Sequence, residues 1–266
     1  MTGAGGESVC NFPVDINYLL RNMKPEIKIS PDKNKLMQES AAYIAVLIKK
    51  SIKEKDRCTF VLSGGSTPKS LYETLASEKY RETIEWSKVY LFWGDERCVP
   101  PDHPDSNYRM VKEALIDHID IPQRNVFRIP AEQEPGEAAR EYEETIKKNV
   151  GGSMQFPVFD IILLGIGEDG HTASLFPGTT AIDEKERWVT GVYVPQLNTH
   201  RITLTLPVIN NGRDVIFLVA GESKADVVRK IINGKGLPYP AAHINPVQGK
   251  LVYLIDEAIG ARITKL

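Results

Sequence analysis

Asp169 and His171 stand two residues apart in Gly165-Ile166-Gly167-Glu168-Asp169-Gly170-His171, directly after the apolar run Phe159 to Leu164. An imidazole, with an ordinary pKa of about 6.5, suits proton transfer near neutral pH. A neutral His171 takes a proton from water, while Asp169 holds the other ring nitrogen and fixes the tautomer. The alternative is plain: Asp169 caps the following segment and His171 is structural. A glycine-rich turn at the carboxyl end of a buried strand is where ligands bind in open α/β sheets, which points to catalysis. His103, His118, His200 and His243 show no two-histidine helical spacing, so no metal is expected.

A second cluster follows the apolar run Cys58–Leu62 and reads Ser63-Gly64-Gly65-Ser66-Thr67-Pro68-Lys69. Glycines let the backbone approach a ligand closely, and the amides of a following helix N-terminus favour an anion. Thr67 is the expected N-cap and Pro68 the first helical residue. Ser63, Ser66 and Thr67 add hydroxyl donors beside Gly64 and Gly65. An ordinary strand-to-helix turn uses the same residue types, so the loop alone leaves phosphate binding and plain connection open. Two cations follow other strand candidates: Arg97 in Gly94-Asp95-Glu96-Arg97 and Lys224 in Gly221-Glu222-Ser223-Lys224. A lysine in a first helical turn opposes the helix dipole, and a shared anion supplies its reason. Arg201 precedes a strand and is a secondary candidate. Arg109 is another, as a substrate contact or as a partner of Asp95 or Glu96 that orders the Gly94 loop. Asn210, Asn211 and Arg213 read as a structural turn.

The elements that must position these residues alternate. Pro31 and Asp32 open a helix on which Leu36, Ser40, Tyr43, Ile44, Leu47 and Ile48 recur at helical spacing. Strands are expected at Cys58–Leu62, Val89–Trp93, Val126–Ile129, Phe159–Leu164, Val189–Val194, Ile202–Leu206, Val215–Val219 and Leu251–Ile255. Helices are expected at Pro68–Ala76, Asn107–Asp117, Gly136–Lys148, Ser223–Asn233 and from Glu257 onward. This pattern predicts an α/β fold: a single open, mostly parallel sheet with helices on both faces. Residues 1–24 read as an N-terminal arm and residues 25–266 as one domain.

The chain has 266 residues, 33 basic and 35 acidic, for a net charge of −2. That balance gives no reason to expect nucleic acid or a membrane surface as partner. Cys10, Cys58 and Cys98 are odd in number and far apart, which suits a reducing compartment and no disulfide framework. The N-terminus does not resemble a secretory signal, so a cytoplasmic location is expected. The final Thr264-Lys265-Leu266 resembles a weak peroxisomal address, and a peroxisome-like or glycosomal pool is the alternative to a chance tripeptide. A monomer is the default expectation, since nothing marks an interface.

Five segments, taken together and in order, carry a family resemblance: Ser63 to Lys69; Gly94 to Arg97 with Val99-Pro100; Asp105-Ser106-Asn107-Tyr108-Arg109; Gly165 to His171 through Phe176-Pro177-Gly178; and His200 to Thr205. The chain resembles the lactonases of the glucosamine-6-phosphate isomerase/6-phosphogluconolactonase family from about residue 27 to its end. The resemblance implies a fold related to glucosamine-6-phosphate deaminase and ribose-5-phosphate isomerase. It also implies hydrolysis of 6-phospho-D-glucono-1,5-lactone to 6-phosphogluconate in the oxidative pentose phosphate pathway, without a cofactor. His171 and Asp169 then form the catalytic pair. Ser63 to Thr67, Arg97, Lys224, Arg201 and Gly170 become phosphate or substrate contacts. Two rival functions stand on the same scaffold. A deaminase carries a glutamate five residues beyond the histidine, where this chain has Phe176, which cannot move a proton. A non-catalytic sugar-phosphate sensor carries an attached DNA-binding segment and a basic face, and the residues before Pro25 are too few and too acidic for that.

Overall fold

The computed structural model describes residues 24–151, 155–234 and 238–263. Apart from Lys24, the expected N-terminal arm lies outside the described residues, as do Cys10 and the C-terminal tripeptide. Seven strands form one parallel sheet. In chain order they are β1 (Glu26–Ser30), β2 (Cys58–Leu62), β3 (Val89–Trp93), β5 (Val126–Phe127), β6 (Ile161–Leu164), β9 (Asp214–Val219) and β10 (Lys250–Asp256). Their spatial order is β1-β10-β9-β6-β2-β3-β5, and every pair is parallel. β2 and β6 are buried along their whole length, as strands covered on both faces must be.

Helix α1 (Lys33–Lys55) starts where the Asp32 carboxylate accepts from the Lys35 amide at 2.8 Å. It ends at Asp56, a left-handed residue at φ 61° whose amide donates to the Ile52 carbonyl. Its buried stripe includes Leu36, Ile44 and Ile48. The crossover from β2 to β3 carries α2 (Ser66–Leu75), and that from β9 to β10 carries α7 (Ala225–Asn233). The two run in opposite directions along the sheet, so right-handed connections put α2 and α7 on opposite faces. The order reverses between β6 and β2, and a crevice opens at such a point.

The fold class is as expected, with two additions: the edge strand β1, which the expected strands did not include, and a second sheet. Val189–Val194 (β7) and Thr199–Leu204 (β8) do not join the parallel sheet. With β4 (Asp95–Arg97) they form a separate antiparallel sheet of order β4-β8-β7. In β7 the side of Tyr193 faces solvent while Val192 and Val194 are buried, and an antiparallel ribbon tolerates one wet face. β8 stops at Leu204, and Pro207 sits instead in a short helix, α6 (Leu206–Ile209). Gly94 joins the two sheets: its amide donates to the Leu62 carbonyl and its carbonyl accepts from the Leu204 amide, both at 2.9 Å. The remaining helices are α3 (Glu78–Arg81), α4 (Asn107–Ala114), α5 (Pro135–Val150) and α8 (Glu257–Ile263).

Where β2 and β3 end, buried tyrosines from later helices take over the backbone groups. The Tyr72 hydroxyl lies 2.9 Å from the Ser63 amide nitrogen and 2.8 Å from the Ser63 carbonyl oxygen. Tyr142 does the same for Trp93, at 2.7 and 3.0 Å. Burial pushes both phenols far above the ordinary tyrosine pKa, so they stay neutral and can donate. Cys58 and Cys98 are free thiols. No helix among the described residues is long and apolar enough to cross a membrane.

Candidate active site

A cleft of about 280 Å³ opens at the carboxyl ends of the parallel strands. It is lined by the Ser63–Thr67 loop, by Asp95, Arg97 and Asn107, by the Gly165–Gly167 turn with His171, and by Lys224. Segments distant in sequence meet there because β2, β3, β6 and β9 are parallel and deliver their following residues to one edge.

The imidazole is held on three sides. His171 Nδ1 lies 2.5 Å from Asp169 Oδ1, which also accepts from the His171 amide at 3.1 Å. A carboxylate only accepts, so Nδ1 carries the hydrogen and neutral His171 keeps its lone pair on Nε2. The Phe176 ring stacks on the imidazole. Gly167 forms the third side: a Cβ there would overlap the imidazole and approach Asp169 Oδ1. The turn closes through Gly167 N–H to the His171 carbonyl at 2.9 Å and Thr172 Oγ1 to the Gly165 carbonyl at 2.8 Å. The His171 side chain is 32% exposed, so it is firmly placed yet open to solvent and ligand.

Beside it lies the donor-rich loop. α2 begins at Ser66, with Gly65 as N-cap at φ 104°, so Thr67 and Pro68 are inside the helix and not at its boundary. A proline is accommodated there because the first helical amides have no intrahelical acceptor anyway. No side chain caps this end, which leaves the amide cluster facing the cleft.

Arg97 reaches the cleft from β4 and donates to the Asp105 carbonyl at 2.5 Å. Arg201 stands directly opposite it on β8. Arg201 does not line the cleft; it donates to Thr199 Oγ1 at 3.1 Å. Burial, and after it the Arg97 charge, pull the Arg201 guanidinium below the ordinary arginine value. Directly opposed like charges on an antiparallel pair are unfavourable, and an anion relieves them. Lys224 ends a short 3₁₀ turn, Glu222–Lys224, ahead of α7, and its Nζ lies 3.5 Å from Glu168 Oε1.

Asp169 reaches the cleft only through His171. Gly170 turns away from it: a Cβ there would run into the Tyr239 ring, and its carbonyl accepts from Ala241 N–H at 3.0 Å. Arg109 does not order the Gly94 loop. It pairs with Glu113 at 2.7 Å and donates to the Asp102 carbonyl at 2.9 Å. The loop is instead pinned by Glu96, whose carboxylate accepts from the amides of Arg97, Asn107 and Tyr108 and from Ser106 Oγ. Burial pushes the Glu96 carboxyl up, against the pull of those three amides. Asn210 and Asn211 hold neighbouring loops through backbone carbonyls, as a structural turn does.

Two polar lining residues, Asp95 and Asn107, are not among the sequence candidates for the site, and the apolar Ala173 and Leu218 to Ala220 complete the lining. Asp95 is buried and accepts from Ser174 Oγ at 2.6 Å. Asn107 had a usable signal: Ser106 is an N-cap, accepting from the Arg109 amide, which places Asn107 first in α4.

The family described as glucosamine-6-phosphate isomerases/6-phosphogluconolactonase matches residues 31–253. The chain is 40% identical over 246 residues to a 6-phosphogluconolactonase of Nostoc sp., covering 91% of this chain and 100% of that protein. It is 42% identical over 245 residues to a 6-phosphogluconolactonase of Synechocystis sp., covering 91% and 99%. Among solved structures, 6-phosphogluconolactonase from Trypanosoma cruzi superposes with a TM-score of 0.81 at 32% identity, covering 91% and 97%. A monomeric glucosamine-6-phosphate deaminase shares the fold, with a TM-score of 0.74 at 23% identity, covering 89% and 99%.

Proposed function

The chain belongs to the glucosamine-6-phosphate isomerase/6-phosphogluconolactonase family, and from that premise we propose that it hydrolyses 6-phospho-D-glucono-1,5-lactone to 6-phosphogluconate in the oxidative pentose phosphate pathway. The observation that carries this reading is one cleft that holds a carboxylate-oriented imidazole beside an uncapped helix N-terminus and two cations, Arg97 and Lys224.

The phosphate rests on the amides and hydroxyls of Ser63 to Thr67 with Arg97 and Lys224. Arg201 acts from behind, by raising the positive field at Arg97. The anchored substrate presents its lactone carbonyl to His171. Nε2 takes a proton from water as the water oxygen bonds to the carbonyl carbon. The tetrahedral intermediate collapses, the bond from that carbon to the ring oxygen breaks, and the imidazolium returns its proton to that oxygen. Asp169 stabilises the imidazolium between the two transfers. A lactone is an activated ester, so one base contributing ~10²–10⁴-fold suits the task.

The isomerase-deaminase reading needs a second proton-transfer group beyond the histidine, and Phe176 stands in that place. The test follows proton release from freshly made 6-phosphogluconolactone alongside ammonia release from glucosamine 6-phosphate. Catalysed acid production without ammonia is expected; the reverse result sinks the lactonase reading.

A further inference from the structure

We propose that Asn107 is a substrate-binding residue that reads a ring hydroxyl, its Oδ1 accepting the hydroxyl proton. The proposal rests on the lactonase reading and deepens it. The Asn107 amide is held in place before any ligand arrives. Its backbone N–H donates to Glu96 Oε1 at 2.7 Å, and the residue is 3% exposed. Nδ2 donates to the Asp95 carbonyl at 3.0 Å. A carbonyl oxygen can only accept, so the end of the amide facing Asp95 must be its NH₂. That fixes the other end as an acceptor, and Asn107 lines the cleft. The side chain lies flat against Gly64, where a Cβ would overlap Oδ1 and Cγ. Gly64 thus makes room for the amide. Among the described residues Oδ1 accepts no hydrogen bond.

The polarity of the cleft then divides. The Ser63–Thr67 amides, Arg97 and Lys224 are donors and suit the phosphate oxygens. Asn107 Oδ1 and the buried Asp95 carboxylate are acceptors, on residues tied together by the Asn107 Nδ2 bond to the Asp95 main-chain carbonyl, and they repel an anion. An acceptor wall suits hydroxyl hydrogens, which a sugar lactone carries on its ring. A site built to hydrogen-bond a hydroxyl rejects an analogue that lacks it.

The experiment measures kcat/KM of the full chain on 6-phosphogluconolactone and on its 2-, 3- and 4-deoxy analogues, for the wild type, Asn107→Ala and Asn107→Asp. The wild type should lose about 10- to 100-fold on one deoxy analogue, the range set by one hydrogen bond to a buried acceptor. Asn107→Ala should show no further loss on that same analogue, whereas Asn107→Asp, which keeps an acceptor but loses the NH₂ held by the Asp95 carbonyl, should be slower on every substrate and retain the discrimination between them. Losses that multiply independently in Asn107→Ala overturn the contact, as does a wild type indifferent to all three deletions. Because that last comparison needs no variant, it decides even where Asn107→Ala fails to fold. No wild-type turnover of the parent lactone would instead sink the lactonase reading itself.

Discussion

The imidazole of His171 lies on the ring of Phe176, with centroids 4.1 Å apart and planes 24° from parallel. Asp169 fixes rotation of the imidazole about its own plane, and Phe176 fixes the plane. Phe176→Leu keeps the apolar filling but removes the flat platform. It should lower kcat by ~10- to 100-fold through loss of aim, with little change in KM and a stability loss of about 1 kcal/mol. Steady-state kinetics with a thermal melt check this. An unchanged kcat would mean that Asp169 alone sets the ring.

His171→Ala removes the proposed base and should lower kcat by ~10²–10⁴-fold with KM nearly constant. Gly167→Ala should act in the same direction while leaving His171 present, because the new methyl takes the space of the imidazole. Circular dichroism should show both variants folded. A fully active Gly167→Ala would contradict the tight approach described for this turn.

Arg97 and Arg201 oppose each other across two strands, so a bound dianion should stabilise the fold. At a phosphate concentration 100-fold above its Kd, linkage gives about 2.7 kcal/mol. Differential scanning calorimetry should show the midpoint rising with inorganic phosphate or 6-phosphogluconate. Arg97→Ala should lose most of that rise and increase KM more than it lowers kcat. An equal rise in the variant would move the anion site elsewhere.

Asp214 sits at the other end of the sheet. Burial is the main cause that pushes its carboxyl above the ordinary value of 3.8, with Lys250 and Lys50 pulling it back. The folded state therefore binds this proton more tightly than the unfolded chain does. Its favourable contribution is complete below the unfolded pKa and is lost as pH rises through the folded one. Asp214→Asn should accordingly be more stable than the wild type at pH 7, by less than about 1 kcal/mol after solvent screening. The difference should fade as pH falls through the raised pKa towards 3.8. Chemical denaturation at pH 7 and pH 3.5 measures it; a gap that widens in acid would reverse the sign.

The two turns that meet at the cleft, Ser63–Thr67 and Gly165–His171, were legible in the sequence because each couples a buried apolar run to glycines and polar residues. Such a pattern marks the carboxyl end of a parallel strand, and parallel strands bring their ends together. The small sheet was not legible. β4 consists of Asp95, Glu96 and Arg97, which carry no strand pattern and pair only through tertiary contact with β8. β7 and β8 mix polar with apolar residues, unlike the near-continuous apolar runs of β3 and β6, but their apolar positions still read as strands, and nothing local to them names the partner strand. Asn107 was missed for a related reason: its place at the cleft depends on Gly64, 43 positions earlier in the chain.

Gly94 gives its amide to one sheet and its carbonyl to the other. The three-stranded ribbon therefore cannot open as a separate cooperative unit without loosening the residue that precedes Asp95. Amide exchange at Leu204, whose proton is held by the Gly94 carbonyl, reports on that event directly. Slow exchange there would show that the arginine pair is carried on a platform as rigid as the strand that leads to His171.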